Sequence, residues 1–167
     1  MHMLHSFRTV FSVALLALVA SRLLAQPHAD SIIVHKSART MELMHAGQVM
    51  KTYKVALGGE PVGPKTRQGD HRTPEGVYVI DGRNARSQFH RSLRISYPNA
   101  ADRERAHKLG VSPGGDIFIH GLPNGYGLIG AAHRARDWTD GCIAVTDSEI
   151  EEIWKLVNNG TPLEIHP

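Results

Sequence analysis

The stretch Ile117–Val145, IFIHGLPNGYGLIGAAHRARDWTDGCIAV, decides how the rest of the chain is read. It opens with a short apolar β-type run, Ile117-Phe118-Ile119, that ends on His120 and Gly121. It closes with Gly141-Cys142 running into a second apolar run, Ile143-Ala144-Val145. Cys142 is the single cysteine of the 167 residues. A thiol at the mouth of one strand and an imidazole at the mouth of another is the layout of a nucleophile and its base. A free thiol, with a pKa of about 8.5, is only a few per cent ionised at neutral pH, so it needs such a partner. His120, beside a glycine at a strand end, can be aimed, whereas His133 lies in the connection GAAHRARD and is expected to be mobile. No acid adjoins His120 in sequence, so a backbone carbonyl, that of Gly121, is the expected orienter of the ring. Gly141 lets backbone approach closely, which makes the amides of Gly141 and Cys142 the expected oxyanion donors. Thr139 and Asp140 are expected to position the loop or touch substrate, and Trp138 to form an apolar wall.

Working back towards the N-terminus, Ser31–Lys36, Thr40–His45 and Gln48–Leu57 alternate apolar with polar residues and predict an antiparallel meander. Glu60–Pro74 holds Pro61, Gly63, Pro64, Gly69 and Pro74 and predicts a long surface loop, of the kind that is functional or mobile. Val77–Ile80 reads as a strand, Asp81-Gly82 as a turn, and Arg91–Tyr97 as the next strand. A short charged segment, Ala100–Leu109, predicts an exposed helix. Beyond Cys142, Thr146 and Glu149 form a capping box, and Ile150, Ile153, Trp154 and Val157 make one apolar helical face. Thr161–Ile165 is a last strand. The expected fold is mainly β, with one well-formed amphipathic helix and one short one.

Residues 1–25 stand apart. Arg8 precedes an apolar run, Val10–Ala20, and small residues follow at Ser21 and Ala25, the pattern of a secretory signal peptide cut after Ala25. The run is shorter than the ~20 residues of a membrane span, so contact with a membrane is expected only through this leader if it stays uncut. Residues 26–167 then form one exported catalytic domain, placed in the periplasm. Without Arg8 and Arg22 the remaining chain carries 17 bases against 16 acids, which removes any electrostatic case for nucleic acid. The charge is uneven. Residues 65–108 hold ten bases against five acids, and residues 137–167 seven acids against one base. That pattern reads either as two solvated faces or as a cleft with a basic wall for carboxylates, built from Lys65, Arg67 and Arg72. The histidines show no metal-ligand spacing, so neither metal nor cofactor is expected. A lone cysteine in an oxidising compartment cannot form an internal disulfide, which leaves a buried hydrophobe or a working thiol.

His120-Gly121, a glycine-rich connection and then Thr139-Asp140-Gly141-Cys142-Ile143 resemble the signature of the L,D-transpeptidase catalytic (YkuD) family. Upstream, GDHRTPEGVY (Gly69–Tyr78) resembles that family's TPxG segment. The resemblance covers about residues 30–166 and implies a β-rich sandwich or barrel with Cys142 as nucleophile and His120 as its partner. It implies peptidoglycan stem peptides as substrate: attack at the L-centre of diaminopimelate, release of D-alanine and a thioester. A second stem peptide, a D-amino acid or a lipoprotein lysine would supply the acceptor amine, and water would give carboxypeptidase or amidase activity instead. Substrate contacts are expected from Thr139, Asp140, Trp138, Arg72 and Arg67. Two positions depart from the pattern: Asp140 stands where the family has a second histidine, and Ala144 where it has Arg or Asn. They motivate the rival reading of a weakly catalytic wall-binding module. A sortase would need an arginine after the cysteine, and residues 143–167 contain none. Papain-like and NlpC-type peptidases place cysteine before histidine, the reverse order.

Overall fold

Every second side chain of Ser31–His35 points inward, with Ile32 and Val34 fully buried, and Met41 and Leu43 do the same in Thr40–His45. This period-two burial is what a strand with one wet face requires. The computed structural model describes residues 27–167; the leader read over residues 1–25 lies outside them. In chain order the strands are β1 (Ser31–His35), β2 (Thr40–His45), β3 (Gln48–Lys54), β4 (Gly76–Ser87), β5 (His90–Ile95), β6 (Phe118–His120), β7 (Ile143–Ala144) and β8 (Pro162–His166). Two α-helices, α1 (Ala100–Lys108) and α2 (Asp147–Leu156), and a kinked 3-10 stretch, Gly127–Ala135, complete the fold.

The strands lie in the order β3-β2-β1-β8-β4-β5-β6-β7. The β1–β8 and β6–β7 pairs are parallel and the others antiparallel. Its two ends then meet. Chain leaving β3 reaches β7, where Ala56 N–H donates to Ala144 O (3.0 Å) and Ala144 N–H to Ala56 O (2.8 Å). The sheet therefore closes on itself, and β7, only two residues long, is bonded on both sides.

β4 makes the bend that this closure needs. Its start pairs with β8 through Gly76–Val79 and its remainder pairs with β5. Register shifts between Ile80 and Gly82 and between Asn84 and Ser87 mark two bulges, which twist and bend a strand. The turn expected at Asp81-Gly82 is thus a bulge inside β4, and the hairpin turns at Gln88-Phe89 instead. Gly82 serves a close cross-strand approach: a Cβ there would stand 3.3 Å from the Arg94 side chain, which crosses it to pair with Asp81 (2.9 Å).

Both helices begin with complete capping boxes, Asn99/Asp102 and Thr146/Glu149. α2 turns Ile150, Ile153 and Leu156 into the core beneath β5 and β6, as its apolar spacing predicts. α1 is mostly exposed, but Ala106 and Asp102 face inward, and the Asp102 carboxylate accepts the Tyr78 hydroxyl proton at 3.0 Å. The Pro/Gly-rich loop before β4 is pinned. Lys36, 2% exposed, donates to Gly63 O (2.7 Å), Thr73 O (3.0 Å) and Glu75 Oε1 (2.7 Å). Lys65 is buried against Asp70 (2.7 Å), so it is no free cation for substrate. Burial alone would raise the Asp70 pKa, but Lys65 and the N–H groups of Thr66, Arg67 and Arg72 hold it at about 2. The uneven charge does not assemble into one basic wall: Lys65, Arg94, Arg105 and Lys108 pair with acids of their own region, and Arg91, with His90, crosses to Glu151 (2.7 and 2.9 Å).

Candidate active site

Parallel pairing of β6 with β7 sets Ile119 opposite Ile143 and His120 opposite Ala144. Ile119 and Ile143 are fully buried on the core side. Residues one step away on either strand, Phe118, His120 and Cys142, therefore share the other face. They line one cleft of about 410 Å³ with Phe89, Trp138 and Asp140. By this register Phe118 stands opposite Cys142 and His120 lies diagonally from it, two residues along the same face, while the thiol itself rests against Asp116 O at 4.0 Å.

His120 is 3% exposed, and its Nδ1 lies 2.6 Å from the carbonyl oxygen of Gly121. A carbonyl only accepts, so Nδ1 carries the proton and Nε2 keeps its lone pair. Phe89 covers the ring at 4.5 Å between centroids, and Trp138 meets it edge-on at 5.9 Å. Burial, together with nearby His133, pushes the His120 pKa down to about 4, against the upward pull of the Gly121 carbonyl. Burial likewise pushes the Cys142 thiol up to about 11; the carboxylates of Asp140 and Asp116 add to this, while the Phe118 N–H and Lys65 oppose it. Both groups are neutral at rest near pH 7. A standing thiolate–imidazolium pair is not what this pocket favours.

The chain that delivers Cys142 is fixed by hydrogen bonds. Thr139 Oγ1 donates to Cys142 O (2.8 Å) and accepts the Gly141 N–H (3.1 Å). The Gly141 amide, expected as an oxyanion donor, is already engaged, and of the two roles expected for Thr139 its hydroxyl is occupied in positioning the loop. Gly141 is needed for its backbone: φ is +124°, and a Cβ would stand 2.5 Å from the Arg72 carbonyl oxygen. Asp140 is exposed at the rim and pairs with His71 Nδ1 at 2.7 Å. Arg67 and Arg72 do not enter the cleft; they line a neighbouring cavity of about 570 Å³ with His71. Between the two lies a hollow of about 310 Å³, bordered by Lys65, His71, Gly114, Asp140 and Cys142. Cys142 is therefore open on two sides.

Trp138 does form a wall, and it stands between the cleft and an apolar cavity of about 420 Å³ lined by Tyr126, Ile129, His133 and Arg136. His133 is buried rather than mobile, with Nδ1 accepting the Trp138 Nε1–H at 3.3 Å. Phe89 was hidden from sequence reasoning because the turn that carries it was placed at Asp81-Gly82. The other unforeseen residue is Asp147, whose Oδ1 accepts the Leu122 N–H at 2.8 Å just past His120-Gly121. Among the described residues no three His, Cys, Asp or Glu side chains gather as a metal ion would require, and no helix is long and apolar enough to cross a membrane.

The sequence profile of the L,D-transpeptidase catalytic domain matches residues 29–165. YafK of Escherichia coli K12, a candidate L,D-transpeptidase, is 29% identical over 133 residues, which are 75% of this chain and 46% of YafK. In fold, a single-residue mutant of the helical cell shape determining protein Pgp2 from Campylobacter jejuni aligns over 84% of this chain and 47% of its own, with a TM-score of 0.64 and 22% identity. Bdellovibrio bacteriovorus Bd1075 aligns over 83% and 48%, with a TM-score of 0.57 and 23% identity. The chain spans about half the length of these relatives. With the profile running from before β1 into β8 and across both His120 and Cys142, the chain belongs to the L,D-transpeptidase catalytic domain (YkuD) family.

Proposed function

We propose that the protein is an exported cysteine acyltransferase that performs L,D-transpeptidation on peptidoglycan stem peptides. The observation that carries this reading is the shared face of β6 and β7: His120 and Cys142 line one cleft, and the proton on His120 Nδ1 leaves Nε2 free to act as base. Nε2 takes the thiol proton as sulfur attacks the carbonyl of the L-centre of diaminopimelate, so charge appears on sulfur only as the new bond forms. The carbonyl oxygen becomes an oxyanion, and with the Gly141 N–H engaged, the Cys142 N–H is the donor that meets it. Collapse breaks the amide, the imidazolium returns its proton to the departing D-alanine amine, and a thioester to Cys142 remains. An acceptor amine then attacks and passes a proton to Nε2, which hands it to the departing sulfur, so that the thiol and the neutral imidazole are restored. The two open sides of Cys142 support a reaction with two peptide substrates, donor and acceptor. Asp140, exposed and held by His71, is the side chain placed to meet an acceptor amine at the rim.

Purified protein with tetrapeptide muropeptides, followed by mass spectrometry, tests this. A thioester adduct and cross-linked dimers are expected, and both vanish in Cys142→Ala. D-Alanine loss without dimers would make the enzyme a carboxypeptidase. An intact substrate, with a thiol that forms no carbapenem adduct, would leave a wall-binding module.

A further inference from the structure

The peptide joining Gly121 to Leu122 is engaged at both ends. Its carbonyl oxygen accepts the His120 Nδ1–H at 2.6 Å, and its N–H donates to Asp147 Oδ1 at 2.8 Å. In a trans peptide these two groups point in opposite directions, so a carboxylate at one end and an imidazole at the other polarise the same unit in the same sense. We propose that Asp147 is a positioning residue for His120, acting through the Gly121–Leu122 peptide in the chain His120 Nδ1–H to Gly121 C=O, then Leu122 N–H to Asp147 Oδ1. This rests on the reading of His120 as the base for Cys142.

Three features favour that role over ordinary helix capping. Asp147 begins α2, but the capping box of α2 is made by Thr146 and Glu149 without it. Two glycines make room for its carboxylate: a Cβ at Gly121 would stand 2.7 Å from Oδ1, and one at Gly127 would stand 2.5 Å from Oδ2. The flanking backbone is fixed as well. Gly121 N–H donates to Arg91 O (3.2 Å) and Val145 N–H to His120 O (2.9 Å), so the peptide cannot swing away from either partner. The charged and titratable neighbours are few. His90 Nδ1 lies 3.9 Å from Oδ2 and also meets Glu151 through Nε2, Arg134 is paired with Glu149, and His133 faces His120 from the 3-10 stretch. When His120 takes the thiol proton, the carboxylate stabilises the positive ring through one polarised peptide. An acid that sequence placed only at a helix start thus completes a relay with Cys142 and His120.

Asp147→Asn keeps the shape and removes the charge, and Glu152→Gln removes a charge from the same helix outside the relay, where it meets Lys51 and Tyr53. NMR of histidine-labelled protein reads the His120 Nδ1–H resonance and the His120 titration, and alkylation against pH reads Cys142. Asp147→Asn is expected to move the Nδ1–H signal upfield, lower proton affinity at His120 by about tenfold and slow alkylation about tenfold at neutral pH. On muropeptides it lowers kcat and leaves KM unchanged. Glu152→Gln is expected to move none of these. If Asp147→Asn does not fold, Asp147→Ser, a good residue for a helix start, takes its place with the same expectations. His120 signals that superimpose on wild type in the folded variant would overturn the relay. Wild-type protein that forms no carbapenem adduct would instead overturn the base reading, while the Nδ1–H shift still decides the link to Asp147.

Discussion

The meander of β1, β2 and β3 and the pair β6–β7 are built by different means. The meander has five- to seven-residue strands, and buried Ile32, Val34, Met41 and Leu43 specify its register from within. The site pair has strands of three and two residues, too short to hold a register alone. It is held by side-chain bonds to backbone, local ones from Thr139 to Gly141 and Cys142 and distant ones from Asp147 to Leu122 and from Asp137 to the N–H of Leu57 (2.8 Å). Apolar burial fixes the frame, and polar ties fix the chemistry. The two can therefore be damaged separately.

The largest separation is expected from His120→Gln, which should lower acyl transfer by roughly 10²–10⁴-fold while thermal unfolding shifts little. If activity survives, the base is not His120. The opposite case is Lys36→Met, which strands Glu75 and two carbonyls under the loop. It should cost roughly 3–5 kcal/mol in denaturant unfolding, with Cys142 alkylating normally in the folded fraction. Ile32→Ala should cost about 2–5 kcal/mol and also leave thiol reactivity alone. Lost reactivity in that variant would mean that frame and site are not independent.

Part of the pH dependence of stability sharpens the contrast, because that part comes from the site groups. An unfolded histidine takes up a proton near pH 6.5, whereas His120 resists until about 4. Unfolded protein then binds more protons, so stability falls as pH drops from 6.5 to 4, by about 3 kcal/mol. Cys142 acts at the other end: ionisation is delayed from about 9 to about 11, so stability falls as pH rises through that window. Cys142→Ala should make the alkaline limb shallower and leave the acid limb alone, as read from urea midpoints across pH, the remainder belonging to Tyr53, Tyr78 and Tyr97, whose hydroxyls burial pushes up. Gly141→Ala should cost about 1–3 kcal/mol from the strained φ alone, with a further cost from the 2.5 Å approach to Arg72 O and a marked loss of turnover as the Cys142 loop shifts away from it.

What sequence could convey follows the same division. Period-two burial announced β1, β2 and β8, and the i, i+3, i+4, i+7 spacing announced α2, because both are local patterns. The order of His120 and Cys142 within one stretch pointed to their strands because both lie at apolar runs bounded by glycine. Phe89 was invisible because Asp81-Gly82 has the chemistry of a turn and of a bulge alike, and only the pairing of β4 with two partners decides between them. Asp147 looked sufficient as a helix-starting acid, and nothing local links it to Leu122. Lys65, Arg67 and Arg72 read as cations awaiting substrate because the buried carboxylate of Asp70 and the path of the loop are tertiary facts.

The bridge between Ala56 and Ala144 joins positions far apart along the chain, and β7 depends on it. Such distant closures form late, after the local hairpins have already reduced the loop to be closed. The segment that follows the nucleophile, Ile143-Ala144, is thus expected among the last pieces to settle, and the thiol to meet its base only once the hoop is complete.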